Sequence, residues 1–303
     1  MKLIPLTRKL VLRTLWKVLL ALVALGFAVL LAQSLRQLAT VQDFISHFPG
    51  ESTLPEDTPV GFPAWLSWQH FLNTLFILLI IRTGWQVRTN QRPQGFWASR
   101  RAPRGGPPQK ISLTLWLHLS LDLLWVINGV LFYILLFATG QWARIVPTSW
   151  DVFPNALSAS IQYASLSWPA ENGWVNYNSL QLLFYFVTVF IAAPLAVASG
   201  LRMSPTWPSS NKLLSRAYPV TVARAVHISV LVYFVAFIIV HVTLVMATGA
   251  RQNLNHMYAT NSGDSWAGAI VFGISLGVIV AAWALAKPLF IRPVASLFGK
   301  FTR

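Results

Sequence analysis

Six apolar runs constrain this chain more than any other feature. They fall at about 11–33, 66–86, 113–139, 179–201, 222–248 and 267–287. Each reaches the ~20 residues that carry a helix across a hydrocarbon core. A segment in lipid must satisfy its own backbone hydrogen bonds, so runs of this kind become helices. The composition agrees: 55% of the 303 residues are hydrophobic and 10% charged, against roughly 25% charged in soluble domains. The expected fold is all-α and integral to the membrane. The chain divides into a first helix with its loop (1–65), a core (66–249) and a last loop, helix and basic tail (250–303). There is no cysteine, which excludes disulfides, thiolate metal sites, Cys-bound clusters and covalently attached haem.

The net charge is +15. In a soluble protein that excess would point to nucleic acid. Here the basic residues sit at the ends of the apolar runs, so they read as orientation signals, with lipid headgroup contact as a second role and no nucleic-acid partner. With the N-terminus inside, only Arg36, Arg144 and Arg251 fall outside, leaving 20 of the 23 Lys and Arg within. Lys2, Arg82, Arg88, Arg92, Arg101, Arg104, Arg224, Lys287 and Arg303 are among the inner ones. Seven of the eight acids, including Glu171, fall outside, and Asp122 alone lies within a span. Both termini are then on the cytoplasmic side of the inner (cytoplasmic) membrane of the cell. The first run has the basic start of a signal peptide but is long and lacks a small-x-small site, so it reads as an uncleaved helix. The outer connections 34–65, 140–178 and 249–266 are rich in Pro, Trp, Asn and Ser. Their tryptophans suit an interfacial belt or a docked partner.

Four of the six histidines lie inside spans, where an ionisable side chain is costly and points to function. His47 and His256 read as solvated loop residues. His227 and His241 share the fifth span, 14 residues apart. That is close to four helical turns, so both face one way, ~21 Å apart along the axis. Alternating span directions put His70 and His241 at the outer level and His118 and His227 at the inner one. Two imidazoles facing each other at two depths suit two six-coordinate b haems, stacked to carry electrons across the bilayer. A metal transporter would gather three or four ligands at one depth. Gly84, Gly129, Gly140 and Gly249 would let a macrocycle approach the backbone. Arg224, one turn inward of His227, and Arg82, near the inner end of the second span, are candidate cations for the propionates, and Arg144 could serve the outer haem. Asp122, one turn beyond His118, could bond a ligand helix or relay protons.

Particular motifs sharpen this. His70 is followed 13 residues later by Thr83-Gly84, the fifth span carries its two histidines 14 residues apart, and the third runs from His118 to Thr139-Gly140. Over about 66–249 these resemble the bacterial di-haem cytochrome b family, the membrane subunits of formate dehydrogenase, nickel–iron hydrogenase and thiosulfate reductase. The resemblance implies a four-helix haem-binding core with His70, His118, His227 and His241 as ligands. It implies electron exchange between quinone or quinol and a separate redox catalytic subunit, often a molybdenum enzyme, at the outer face. The first and sixth spans add to the minimal four-helix form. Two other functions use the same features: a self-contained haem b quinone reductase acting on a small species such as superoxide, and a transporter with histidines in a proton or metal path.

Overall fold

Alternate residues of an apolar run have no preferred face in lipid, so length and helix propensity alone set the element boundaries. A computed structural model describes residues 8–89, 93, 95–100, 110–168 and 172–302. Lys2, Arg92, Arg101, Arg104, Glu171 and Arg303 lie outside them. In chain order the helices are α1 (Arg8–Arg36), α2 (Ala39–His47), α3 (Ala64–Thr89), α4 (Leu113–Ala138), α5 (Val152–Ala164), α6 (Ser179–Phe186), α7 (Ala193–Met203), α8 (Lys212–Ala217), α9 (Val220–Ala247), α10 (Ala250–Ala259), α11 (Ala267–Leu285) and α12 (Pro288–Phe298). A π-helical turn, Val187–Ala192, joins α6 to α7. Among the described residues six segments are long and apolar enough to span a membrane: Leu12–Arg36, Ala64–Thr89, Leu113–Ala138, Ser179–Met203, Val220–Ala247 and Ala267–Leu285. They coincide with the six expected runs to within a few residues. The chain is an all-α, multi-pass membrane protein.

Contacts divide it into two units that interleave along the chain. One comprises Met1–Glu56 and Ala143–Tyr185. Its connections are folded, held by hydrogen bonds between residues far apart in the chain. The Gly50 N–H donates to Asn155 Oδ1 (2.9 Å), and the Gly50 carbonyl accepts from Ser179 N–H (2.8 Å). Gln162 Nε2 donates to the Pro49 carbonyl at 3.0 Å, and Asn176 Nδ2 to the Ser52 carbonyl at 3.0 Å. Gly50 holds φ +116°, and an added Cβ there would lie 3.4 Å from Gln162 Nε2. Buried polar groups of this kind must be paired to be tolerated. Arg144, expected as a loop cation, is 1% exposed. Its Nη2 donates to the Gly173 carbonyl (2.5 Å), and its guanidinium lies over the Tyr177 ring. Burial lowers its pKa from the ordinary value, opposed by the Tyr177 and Tyr185 hydroxyls. Arg144 thus organises this unit from within.

The other unit comprises Asp57–Trp142 and Phe186–Arg303. Its tightest helix pairings are α3 with α4, α7 with α9, and α10 with α11. Midway along the helices Ala192, Val230 and Phe234 form a core with Ile77, Trp125 and Tyr233. Trp125 meets Phe234 edge-on at 6.2 Å, and its indole donates to Asn73 Oδ1 at 2.7 Å. The π turn lies immediately before Pro194. Proline has no N–H to bond the carbonyl four residues back, and its ring crowds that carbonyl. Tyr133 compensates by donating its hydroxyl to the Val189 carbonyl (2.5 Å), and Thr188 bonds Tyr233 (2.8 Å).

Two elements in this unit depart from the expectation. The basic tail is the helix α12 followed by a strand. Strands β1 (Phe96–Ser99), β2 (Lys110–Ser112) and β3 (Gly299–Thr302) form an antiparallel sheet in the order β2-β1-β3. Glycine makes the pairing possible: a Cβ on Gly299 would sit 2.3 Å from Trp97 Nε1, and one on Gly95 2.1 Å from the Phe301 ring. The C-terminal strand is therefore on the same side as the connection between α3 and α4. The second departure is residues 250–259, a helix whose Asn255 and His256 are buried (0% and 2% exposed). The reading of His256 as a solvated loop residue is corrected: its ring meets Phe62 edge-on at 6.1 Å. His47 is exposed at the end of α2.

Candidate haem site

The four intramembrane histidines project from three helices of the second unit: His70 from α3, His118 from α4, and His227 and His241 from α9. His70 and His241 face each other with ring centroids 6.3 Å apart and planes at 55°. His118 and His227 lie within electrostatic range of one another. Among the described residues no three His, Asp or Glu side chains gather as a metal cluster.

A b-type haem fits this geometry. Two imidazoles sharing one metal ion through bonds of about 2 Å each would have ring centroids about 6 Å apart. The 6.3 Å between His70 and His241 matches that span. His70 Nδ1 is buried without a hydrogen-bond partner among the described residues. The Tyr258 ring stands edge-on to His70 at 5.7 Å, and Phe237 stacks on His241 at 5.5 Å. Both confine the imidazoles.

At the other level the rings are held by hydroxyls. Thr83 Oγ1 lies 3.0 Å from His118 Nδ1, and Ser199 Oγ lies 3.0 Å from His227 Nδ1. Each hydroxyl spends its one hydrogen on its own helix: Thr83 donates to the Leu79 carbonyl (2.8 Å) and Ser199 to the Leu195 carbonyl (2.6 Å). The hydroxyl oxygens are then acceptors, which assigns the proton to Nδ1 and leaves the Nε2 lone pair for a metal. Asp122 Oδ2 is 3.6 Å from His118 Nε2, too far for a hydrogen bond, so that nitrogen is not consumed.

The remaining expected residues divide. Gly84 meets His118: a Cβ there would be 3.0 Å from His118 Cε1. Gly140 (φ +73°) caps α4 against Pro59, and Gly249 (φ +140°) turns the chain from α9 into α10. Gly129 has open space around it. Arg82 is engaged by α11: its Nη1 donates to the Trp283 carbonyl and its guanidinium lies 4.7 Å from the Trp283 ring centroid. Arg224 is exposed on α9, without a hydrogen bond or ion pair to any described residue. Sequence reasoning missed Ser199-Gly200. Its signal was available: a hydroxyl residue followed by glycine inside a span, as at Thr83-Gly84.

A six-span helical protein that sets His70 against His241 and holds His118 and His227 by Nδ1 on two of the same helices presents donors that suit a membrane b-type cytochrome. Residues 61–259 match the family model for prokaryotic cytochrome b561, and the chain belongs to that family. The matched stretch contains all four histidines. No curated protein and no solved structure gives a significant match. The family carries electrons across a membrane on b-type haem.

Proposed function

We propose that this chain holds two b haems, one between His70 and His241 and one between His118 and His227. They would pass electrons between quinone or quinol in the membrane and a redox catalytic subunit at the outer face. The observation that carries the reading is the His70–His241 ring pair at 6.3 Å, with the second α9 histidine, His227, ~21 Å away along the same helix face and, like His118, bonded at Nδ1 by a buried hydroxyl. The haem iron would supply one-electron redox chemistry at each level. This chain's residues do the rest. The imidazoles would hold the iron, and Thr83 and Ser199 fix the inner ring tautomers. The apolar midplane of Ile77, Ala192, Val230 and Phe234 keeps water out between the levels. Arg224, free of protein partners among the described residues, is placed to meet an inner propionate. Arg82 could do so only with the guanidinium nitrogens that Trp283 leaves. Asp122 sits beside the inner pair, where a carboxyl could exchange protons with a reducible ligand.

Orientation follows from the charge asymmetry, with residues 1–11 and the C-terminal strand cytoplasmic. The sheet supports it, because it ties β3 to the arginine-containing connection between α3 and α4. A reporter fused after residue 303 is expected to read cytoplasmic; an external signal would invert the levels. The partner would dock on the outer connection 140–178, where Trp150 is 85% exposed beside Phe153.

The decisive measurement is a reduced-minus-oxidised spectrum of the purified full chain with haem quantified per protein. Two b haems per chain are expected. A colourless protein with intact helical content would overturn the reading.

A further inference from the structure

The four ligand candidates are not held alike. On the inner level both imidazoles are clamped by the neighbouring helix in the same way. In α3 the pair Thr83-Gly84 faces His118 of α4, and in α7 the pair Ser199-Gly200 faces His227 of α9. The hydroxyl residue takes the ring's Nδ1 at 3.0 Å in both cases. The glycine that follows leaves room for the ring: added Cβ atoms would stand 3.0 Å from His118 Cε1 and 3.7 Å from His227 Cε1. Thr83 and Ser199 are both fully buried. Neither is required by its own helix, since a hydroxyl bonded back to the carbonyl four residues earlier is neutral to slightly unfavourable there. On the outer level His70 Nδ1 has no hydrogen-bond partner among the described residues.

We propose that Thr83 and Ser199 are positioning residues that set the electron-donating strength of the inner histidine pair and separate the inner potential from the outer one. This rests on the reading of the site as a pair of bis-histidine haems. An Nδ1–H that donates a hydrogen bond makes the imidazole a more basic metal ligand. A more basic axial ligand stabilises the ferric over the ferrous state, so the clamp lowers the inner potential. Losing one hydroxyl raises it, and the outer level, which has no such clamp on His70, is the internal reference.

The test is a spectroelectrochemical titration of the full chain and of Thr83→Val, Ser199→Ala and Thr83→Ser, with haem counted in each. Two components of different midpoint are expected in the wild type. Thr83→Val and Ser199→Ala keep both haems and move only the inner component upward, by up to tenfold in the ferric-to-ferrous ratio, which is ~59 mV for a one-electron couple. Thr83→Ser restores the wild-type value, which a purely steric role for the threonine methyl would not. Inner loss of haem in Thr83→Val with the outer haem retained, rescued by serine, also supports the clamp. An inner midpoint unmoved in both Thr83→Val and Ser199→Ala, or equal shifts at both levels, overturns it. A wild-type chain without paired haems would instead refute the reading of the site, so the two failures are separable.

Discussion

Replacing His241 with alanine is expected to halve the haem content, from two per chain to one. The imidazole is opposite His70 at 6.3 Å between ring centroids, and among the described residues no third histidine gathers with that pair as a metal-binding group. Its loss leaves a five-coordinate site at best, with His70 alone. The inner pair stands ~21 Å away along the same helix and draws its support from Thr83 and Ser199, so its spectrum should survive. His227→Ala is the mirror experiment and should remove the inner component. Two measurements decide it: haem per protein by extraction, and the low-spin signals of the remaining component. Disappearance of both haems in His241→Ala would mean that the levels are not independent. Retention of both would mean that His241 is not a ligand.

The second large effect is structural. Replacing Gly268 with alanine should destabilise the corner between α10 and α11 by about 3 kcal/mol, the upper end of what overpacking usually costs. The new Cβ would lie 2.3 Å from Asn255 Cα and from the Leu254 carbonyl oxygen. Those are backbone atoms and cannot step aside as a side chain would. The corner is held by fully buried Asn255. It donates to the Asn261 carbonyl (3.1 Å) and the Gly263 carbonyl, and accepts from Ser265 Oγ (2.7 Å) and Gly268 N–H (3.3 Å). Displacing it would leave several buried polar groups unpaired. The corner also carries Tyr258, which stands against His70, so the outer haem should weaken before the inner one. Thermal unfolding of the detergent-solubilised protein, followed by haem absorbance, measures both. Gly273→Ala on the same helix is the control: nothing lies within 4 Å of its added Cβ, and alanine is the better helix former. Equal stabilities of the two variants would count against the steric account.

Much of this architecture is legible in one dimension. The bilayer sets helix length, so hydropathy alone places the six spans. Helical periodicity alone places His227 and His241 on one face, and alternating direction alone sorts the four histidines into two depths. None of these inferences needs to know how the helices are rotated about their axes. What depends on rotation and packing only the tertiary structure decided. Arg82 looks equally free in sequence to meet a propionate or a neighbour, and packing gave it to Trp283 on a helix 201 residues away. The folding of the connections 34–65 and 140–178 is not legible in their Pro-, Trp-, Asn- and Ser-rich composition, because burial of Asn155, Gln162 and Arg144 depends on partners far apart in the chain. His256 reads as solvated until α10 turns it onto Phe62. Ser199 is one small polar residue in an apolar run; only the pairing of α7 with α9 brings its hydroxyl to His227. A hydrogen bond requires a direction as well as a distance, and the azimuth of each helix is a property of the packed bundle.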